Sequence, residues 1–283
     1  MAASGARQFE VGAAPAIRGE SAGEGPAVVL CHGLTATRRY VVHGSRALER
    51  AGHRLISYDA RGHGESDPAP PGQGYGYPEL ASDLRAVVAA EAPGEPPVLA
   101  GHSMGAHTVV AHTLANGSQA AGLVVISPTF TGEVTDASIE FWDGLAEALA
   151  EGGIDSFIDY LERRQGTDSR WRDSVLRFTR ERLEAHRDLG SVAEALRQVP
   201  RSRPFDGLGD LERLDVPTLV VATDDEADPG HPRAAAEAYA EALPDARLIA
   251  EARGESPLAW QGGRLSREIA AFCAELRASG GGR

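Results

Sequence analysis

The sequence predicts an α/β fold: a mostly parallel central sheet flanked by helices, with a helical block inserted into it. Three observations carry this. Short apolar runs alternate with longer helical patterns, the rhythm of strand–helix–strand units. The rhythm lapses between about residues 131 and 205, where the chain is helical and charged without a convincing strand. One apolar run also passes into a helical pattern through Gly101-His102-Ser103-Met104-Gly105, a tight strand-to-helix corner.

Taken in order, residues 26–31 (PAVVLC) read as a buried strand ending at His32-Gly33, and 40–51 as an amphipathic helix. Residues 54–58 (RLISY) form a strand followed by the polar turn Asp59-Ala60-Arg61-Gly62-His63-Gly64. A helix over 78–91 starts at a proline, and a short strand spans 97–100. The next helix covers 104–114, with Asn116-Gly117 as its stop, and 122–126 (GLVVI) is again a strand. In the block 131–205, Phe141, Trp142, Phe157, Tyr160, Trp171 and Phe178 serve as apolar anchors. Alternation resumes with a strand at 217–222, a helix at 232–243, a strand at 247–250 and a helix at 265–276, before a glycine-rich tail at 279–283 that is expected to be disordered. The expected organisation is a core of 1–130 and 206–283 with a cap of 131–205. No internal repeat is visible.

Composition narrows the classes. A chain of 283 residues suits one large domain, or one domain with a sizeable insertion. It buries roughly 70–75% of its unfolded surface without needing disulfides or metals. With 42% hydrophobic and 24% charged residues it is neither mainly disordered, collagen-like nor a disulfide-rich miniprotein. Lys and Arg number 28 against 41 Asp and Glu, a net charge of −13 that repels phosphate backbones and anionic membranes. Nucleic acid and membrane are therefore not expected partners. Cys31 and Cys273, each among apolar neighbours, read as small core side chains. The N-terminus lacks the pattern of a signal peptide and no apolar run reaches membrane-spanning length, so a soluble cytoplasmic protein is expected.

Chemistry concentrates at Ser103. Glycines two positions either side let strand and helix approach closely, and the corner lifts the hydroxyl above the sheet beside a helix N-terminus, where developing negative charge is favoured. His32-Gly33-Leu34 follows the 26–31 strand. The backbone N–H groups of Leu34 and Met104 are the expected pair facing a tetrahedral oxyanion. His32 itself reads as a structural hydrogen-bonding residue beside a pocket that His32, Gly33, Phe141 and Trp142 are expected to line.

These residues identify a resemblance to the α/β-hydrolase superfamily in its form with a helical cap. Its carriers are the His32-Gly33 loop, the 59–64 turn, the 101–105 elbow and a late Asp-x-x-x-Pro segment, and it covers nearly the whole chain. The resemblance implies an acid after a late strand. In Thr223-Asp224-Asp225-Glu226-Ala227-Asp228-Pro229-Gly230-His231-Pro232 the pattern selects Asp228, with Asp224 and Asp225 as alternatives. Several of these carboxylates are expected only to cap the helix after Pro232.

The resemblance also implies a basic histidine after the last strand, just past a glycine. The segment reads Ala252-Arg253-Gly254-Glu255-Ser256-Pro257, so Glu255 stands in that place. All nine histidines lie at or before His231, and His231 follows Asp228 too closely for the usual partnership. Glu255 is accordingly expected at the base position beside Asp228, two carboxylates sharing a proton. That implies an engineered chain with His replaced by Glu, a natural enzyme redirected through a carboxylate pair, or a non-catalytic binder. The first expectation is a serine hydrolase of carboxylesterase type, acting on an ester, thioester or lactone through an acyl-enzyme on Ser103. The alternative is a ligand-binding protein or non-hydrolytic enzyme on the same fold. No metal or organic cofactor is implied, because there is no His/Cys cluster and no phosphate-binding glycine loop.

Overall fold

The computed structural model describes residues 5–117, 119–165, 169–252 and 254–280. Residues 1–4 of the N-terminal segment, Arg253 of the late segment, and 281–283 of the expected disordered tail lie outside that set.

The chain opens with an antiparallel pair, β1 (Arg7–Val11) and β2 (Ile17–Ala22), then enters the buried run β3 (Ala27–Cys31). A short helix α1 (Ala47–Arg50) leads to β4 (Arg54–Tyr58), and α2 (Tyr77–Glu91) to β5 (Val98–His102). Next come α3 (Met104–Asn116) and β6 (Gly122–Ile126). Three helices follow: α4 (Asp136–Gln165), α5 (Ser169–Glu184) and α6 (Leu189–Gln198). The sheet resumes with β7 (Thr218–Ala222), α7 (Arg233–Ala242), β8 (Ala246–Ala250) and the closing α8 (Gly262–Gly280).

The eight strands form one sheet in the order β1-β2-β4-β3-β5-β6-β7-β8, parallel from β4 through β8. β3 lies between β4 and β5, so the chain leaves it in one direction and returns on its other side. This reversal places the loops after β3 and β5 side by side at the carboxyl ends of the strands, where open α/β sheets bind ligands.

Period-two alternation splits the strands between two cores. Val29, Cys31, Leu99, Leu123, Val125 and Val220 face α2, α3 and α7. Val28, Leu30, Val98, Val124, Leu219 and Val221 face α1 and α8. Each fully buried Val or Leu contributes about 1.5–3 kcal/mol relative to exposure. Cys31 belongs to the first core and Cys273 to the second, so the sheet itself separates the two free thiols.

Two departures from the sequence reading have local causes. The helix expected over 40–51 shrinks to a 3-10 turn (Arg38–Tyr40) and α1, because His43 and Gly44 adopt φ of 48° and 69°. The β1–β2 hairpin was not anticipated; β1 is mostly exposed and β2 buries only alternate residues, so neither presents an apolar run.

The inserted block has its own core of Leu145, Leu149, Phe157, Leu183, Val192 and Leu196. α4 bends at Gly153, where φ is 69°. Asp188 caps α6 by accepting from the N–H groups of Gly190 and Ser191 at 2.9 and 3.2 Å. His186 fastens the block to the sheet domain: its Nδ1 accepts from Gly64 N–H at 2.8 Å and its Nε2 donates to the Thr35 carbonyl at 3.0 Å. No helix among the described residues is long and apolar enough to cross a membrane.

Candidate active site

Ser103 sits between β5 and α3 with φ 52° and ψ −113°, a left-handed conformation that non-glycine residues rarely adopt. The corner is that tight because backbone passes close on both sides. A Cβ on Gly101 would lie 2.1 Å from the Gly105 carbonyl oxygen, and one on Gly105 would lie 2.0 Å from that of Cys31. Ser103 N–H donates to the Ile126 carbonyl at 2.9 Å, which pins the corner to the neighbouring strand β6. The side chain is half-buried and lines a cavity.

The loop after β3 lies against this corner. A Cβ on Gly33 would stand 3.4 Å from the Ser103 Cβ and 2.9 Å from His102 Nδ1. Neither Leu34 N–H nor Met104 N–H has a backbone or side-chain acceptor among the described residues, and both residues line the cavity. At Met104 the free N–H follows from its place as the first residue of α3, one of the unpaired donors every helix start leaves.

The place beside Ser103 and Asp228 expected for Glu255 is taken by His231. His231 Nε2 lies 2.8 Å from Ser103 Oγ, and His231 Nδ1 lies 2.8 Å from Asp228 Oδ2. With the proton on Nδ1, the imidazole donates to the carboxylate and accepts from the serine hydroxyl. Three residues suffice for this partnership because Pro229-Gly230 makes a turn, closed by His231 N–H on the Asp228 carbonyl at 3.0 Å, that folds the ring back over the carboxylate. The expectation that His231 stands too close to Asp228 is therefore corrected: the pair needs a turn, not a long loop.

Burial works against ionisation of Asp228, but His231, with its hydrogen bond, His102 and Arg182 outweigh it, and the carboxyl falls below its usual value. A carboxylate pair would have pushed it the other way. His102, whose ring centroid is 5.2 Å from that of His231, is held neutral, pushed down to about 3 chiefly by burial and then by His231. It adds no repelling charge when His231 takes a proton.

Glu255 is half-exposed, reaches Arg264 Nη1 at 3.3 Å, and does not line the cavity. Its placement at the base position is thereby overturned, and with it the inference that the chain lacks a proton acceptor. Of the alternatives to Asp228, Asp224 accepts from Glu226 N–H at 3.1 Å and Gly254 N–H at 2.9 Å, tying together the loops after β7 and β8. Asp225 accepts from Arg233 N–H at 2.6 Å at the start of α7, the capping role expected for part of this acidic run. The D-P-G-H turn at the carboxyl end of β7 was the signal available in the sequence.

The cavity measures about 430 Å³. Gly33, Phe141 and Trp142 line it as expected, with Phe157 and Phe178 of the inserted block. His32 does not. It is 2% exposed, its Nδ1 donates to the Gly33 carbonyl at 2.8 Å and its Nε2 accepts from Ala60 N–H at 2.9 Å, so both nitrogens are spent shaping the loop. His107 has a similar duty below the cavity: its Nε2 accepts from Thr129 and Phe130 N–H groups at 3.0 and 3.1 Å.

A sequence model described as the alpha/beta hydrolase family matches residues 28–259. A relative from Synechocystis sp., provisionally named a non-heme chloroperoxidase, is 30% identical over 215 residues, 72% of this chain and 75% of that protein. A thermophilic esterase from Thermogutta terrifontis superposes with a TM-score of 0.76 at 22% identity, covering 96% of this chain and 99% of that one. An enol-lactonase from Burkholderia xenovorans gives 0.72 at 20% identity, covering 96% and 100%. At these identities the structural likeness speaks to the fold.

Proposed function

The chain belongs to the alpha/beta hydrolase family, and from that premise we propose that it is a serine hydrolase of carboxylesterase type, acting on a small ester, thioester or lactone. The carrying observation is the relay of two 2.8 Å contacts, Ser103 Oγ to His231 Nε2 and His231 Nδ1 to Asp228 Oδ2. Ser103 Oγ attacks the carbonyl carbon while His231 Nε2 takes its proton. Asp228 holds the ring in the required tautomer and stabilises the imidazolium. The oxyanion is received by the free N–H groups of Leu34 and Met104, each donor contributing on the order of 10²–10³ in rate. Collapse breaks the bond to the leaving alcohol or thiol, which departs with the proton from His231. Water, deprotonated by the same imidazole, then releases the acid from Ser103. Helices α4–α6 act as the cap, supplying aromatic walls that suit a short hydrocarbon stretch of the acyl group.

The test is covalent labelling with a fluorophosphonate probe, read by mass spectrometry of the peptide carrying Ser103. Labelling at Ser103 is expected, abolished by Ser103→Ala and strongly slowed by His231→Ala. A folded sample that stays unlabelled favours a binding protein on the same fold and overturns the reading.

A further inference from the structure

The cavity wall holds a cation that makes no ion pair among the described residues. Arg182 projects from α5 into the lining and is the only lysine or arginine among the described residues that line it. Among the described residues its side chain makes one hydrogen bond, from Nη2 to Thr179 Oγ1 at 3.2 Å, within its own helix. Its Nε is enclosed yet has no acceptor among the described residues, and no carboxylate lies within ion-pair distance. Asp228 stabilises its charge from further off, while its own carboxylate is engaged by His231. Enclosing a guanidinium without a matched acceptor costs free energy, whereas arginines such as Arg197, Arg201 and Arg233 are paired with carboxylates at the surface.

Resting on the hydrolase reading above, we propose that Arg182 is the anion-binding residue of the substrate site, and that the substrate's acyl chain carries a carboxylate. A guanidinium presents a planar fork of donors that matches a carboxylate in two parallel hydrogen bonds. The rest of the wall suits a short hydrocarbon spacer: Phe141, Trp142, Phe178 and Leu161 are apolar. One guanidinium balances one carboxylate, whereas a phosphate dianion would stay half-compensated in a cavity that also holds Glu133 and Asp228. The predicted substrate is thus the half-ester, half-thioester or lactone of a short dicarboxylic acid, held by its free end on Arg182 with its carbonyl at Ser103.

The experiment compares p-nitrophenyl hemisuccinate with the near-isosteric neutral p-nitrophenyl 4-methylpentanoate, in the full chain and in Arg182→Gln and Arg182→Lys. The parent is expected to favour the hemisuccinate by at least about 10-fold in kcat/KM. Arg182→Gln is expected to lose about 10- to 100-fold more on the hemisuccinate than on the neutral ester, mainly through KM, so that the preference between the two collapses even if support of Asp228 lowers both. Arg182→Lys should restore part of the preference. Binding of succinate against succinamide, followed by quenching of Trp142 and Trp260 in the cavity wall, gives a readout that needs no turnover.

Equal losses on both esters would make Arg182 a support of Asp228 or of the fold, and overturn the proposal. So would a parent that shows no preference while hydrolysing both, which leaves the hydrolase reading intact. If neither ester is hydrolysed but succinate binds only when Arg182 is present, the hydrolase reading falls and the anion site stands.

Discussion

The imidazole of His231 reaches Asp228 across three residues of chain and Ser103 across 128, at 2.8 Å in both directions. One short turn after β7 thus carries both the carboxylate and the imidazole of the proposed relay, and Glu255 in the loop after β8 reaches neither Ser103 nor Asp228. The relationship can be tested by separating His231 from Glu255. His231→Ala is expected to lower kcat on p-nitrophenyl esters by about 10⁶, the scale of histidine loss in a comparable relay. Glu255→Gln should stay within about 2-fold of the parent, and Glu255→His should bring no gain. A large gain from Glu255→His would return the base to the β8 loop.

Asp228→Asn tests the orienting role. The amide keeps the shape but donates where the carboxylate accepts, so the imidazole is turned to the wrong tautomer. A loss of about 10⁴ in kcat is expected, with an unchanged urea midpoint showing that the fold survives.

Gly105→Ala tests the sterics of the corner. Its Cβ would meet the Cys31 and His32 carbonyl oxygens at 2.0 and 2.8 Å, and backbone cannot swing aside as a flexible side chain can. A destabilisation of about 3 kcal/mol or more is expected in urea unfolding, at the upper end of overpacking costs. Probe labelling of Ser103 should be lost in parallel.

Away from the site, Arg61 and Asp83 form a buried bidentate pair, with Nε–Oδ2 and Nη2–Oδ1 both at 2.7 Å. Arg61→Met strands a buried carboxylate and is expected to cost about 3–5 kcal/mol. Adding Asp83→Leu should recover most of it in the same unfolding assay.

Stability should fall on mild acidification. His107 is pushed down to about 3 by burial and then by His231, and His186 to about 4, chiefly by burial and by nearby charges. The unfolded chain takes up these protons near pH 6.5 and the folded one only much lower. The contribution is whole above pH 6.5 and is lost progressively as pH falls toward 4 and 3. Urea midpoints at pH 7.5, 5.5 and 4.5 check the slope, which should flatten in His186→Gln.

Most of the sheet was readable because β3, β5, β6 and β7 are buried on both faces and so appear as unbroken apolar runs. The Ser103 corner was readable because its determinants lie within five residues and are steric. Leu34 and Met104 could be placed beside it, since backbone N–H groups depend on position and not on side chain. The base was not readable. Its identity depends on which loop closes over Ser103 in space, and an expectation tied to the loop after β8 settled on Glu255. His32, placed in the pocket by sequence, turned inward because both of its nitrogens found backbone partners.

The fastening of α5 and α6 to the sheet domain through His186 has a consequence for how ligands enter. Thr35 and Gly64, the two groups that His186 grips, belong to the turns after β3 and β4, and the same stretch of chain carries Leu34. Any outward swing of the helices that widens the doorway would pull through His186 on the strand-end loop that carries Leu34, one of the two proposed donors. Admission of a guest and readiness of the chemistry are mechanically linked, so a wide-open molecule is also a slack one.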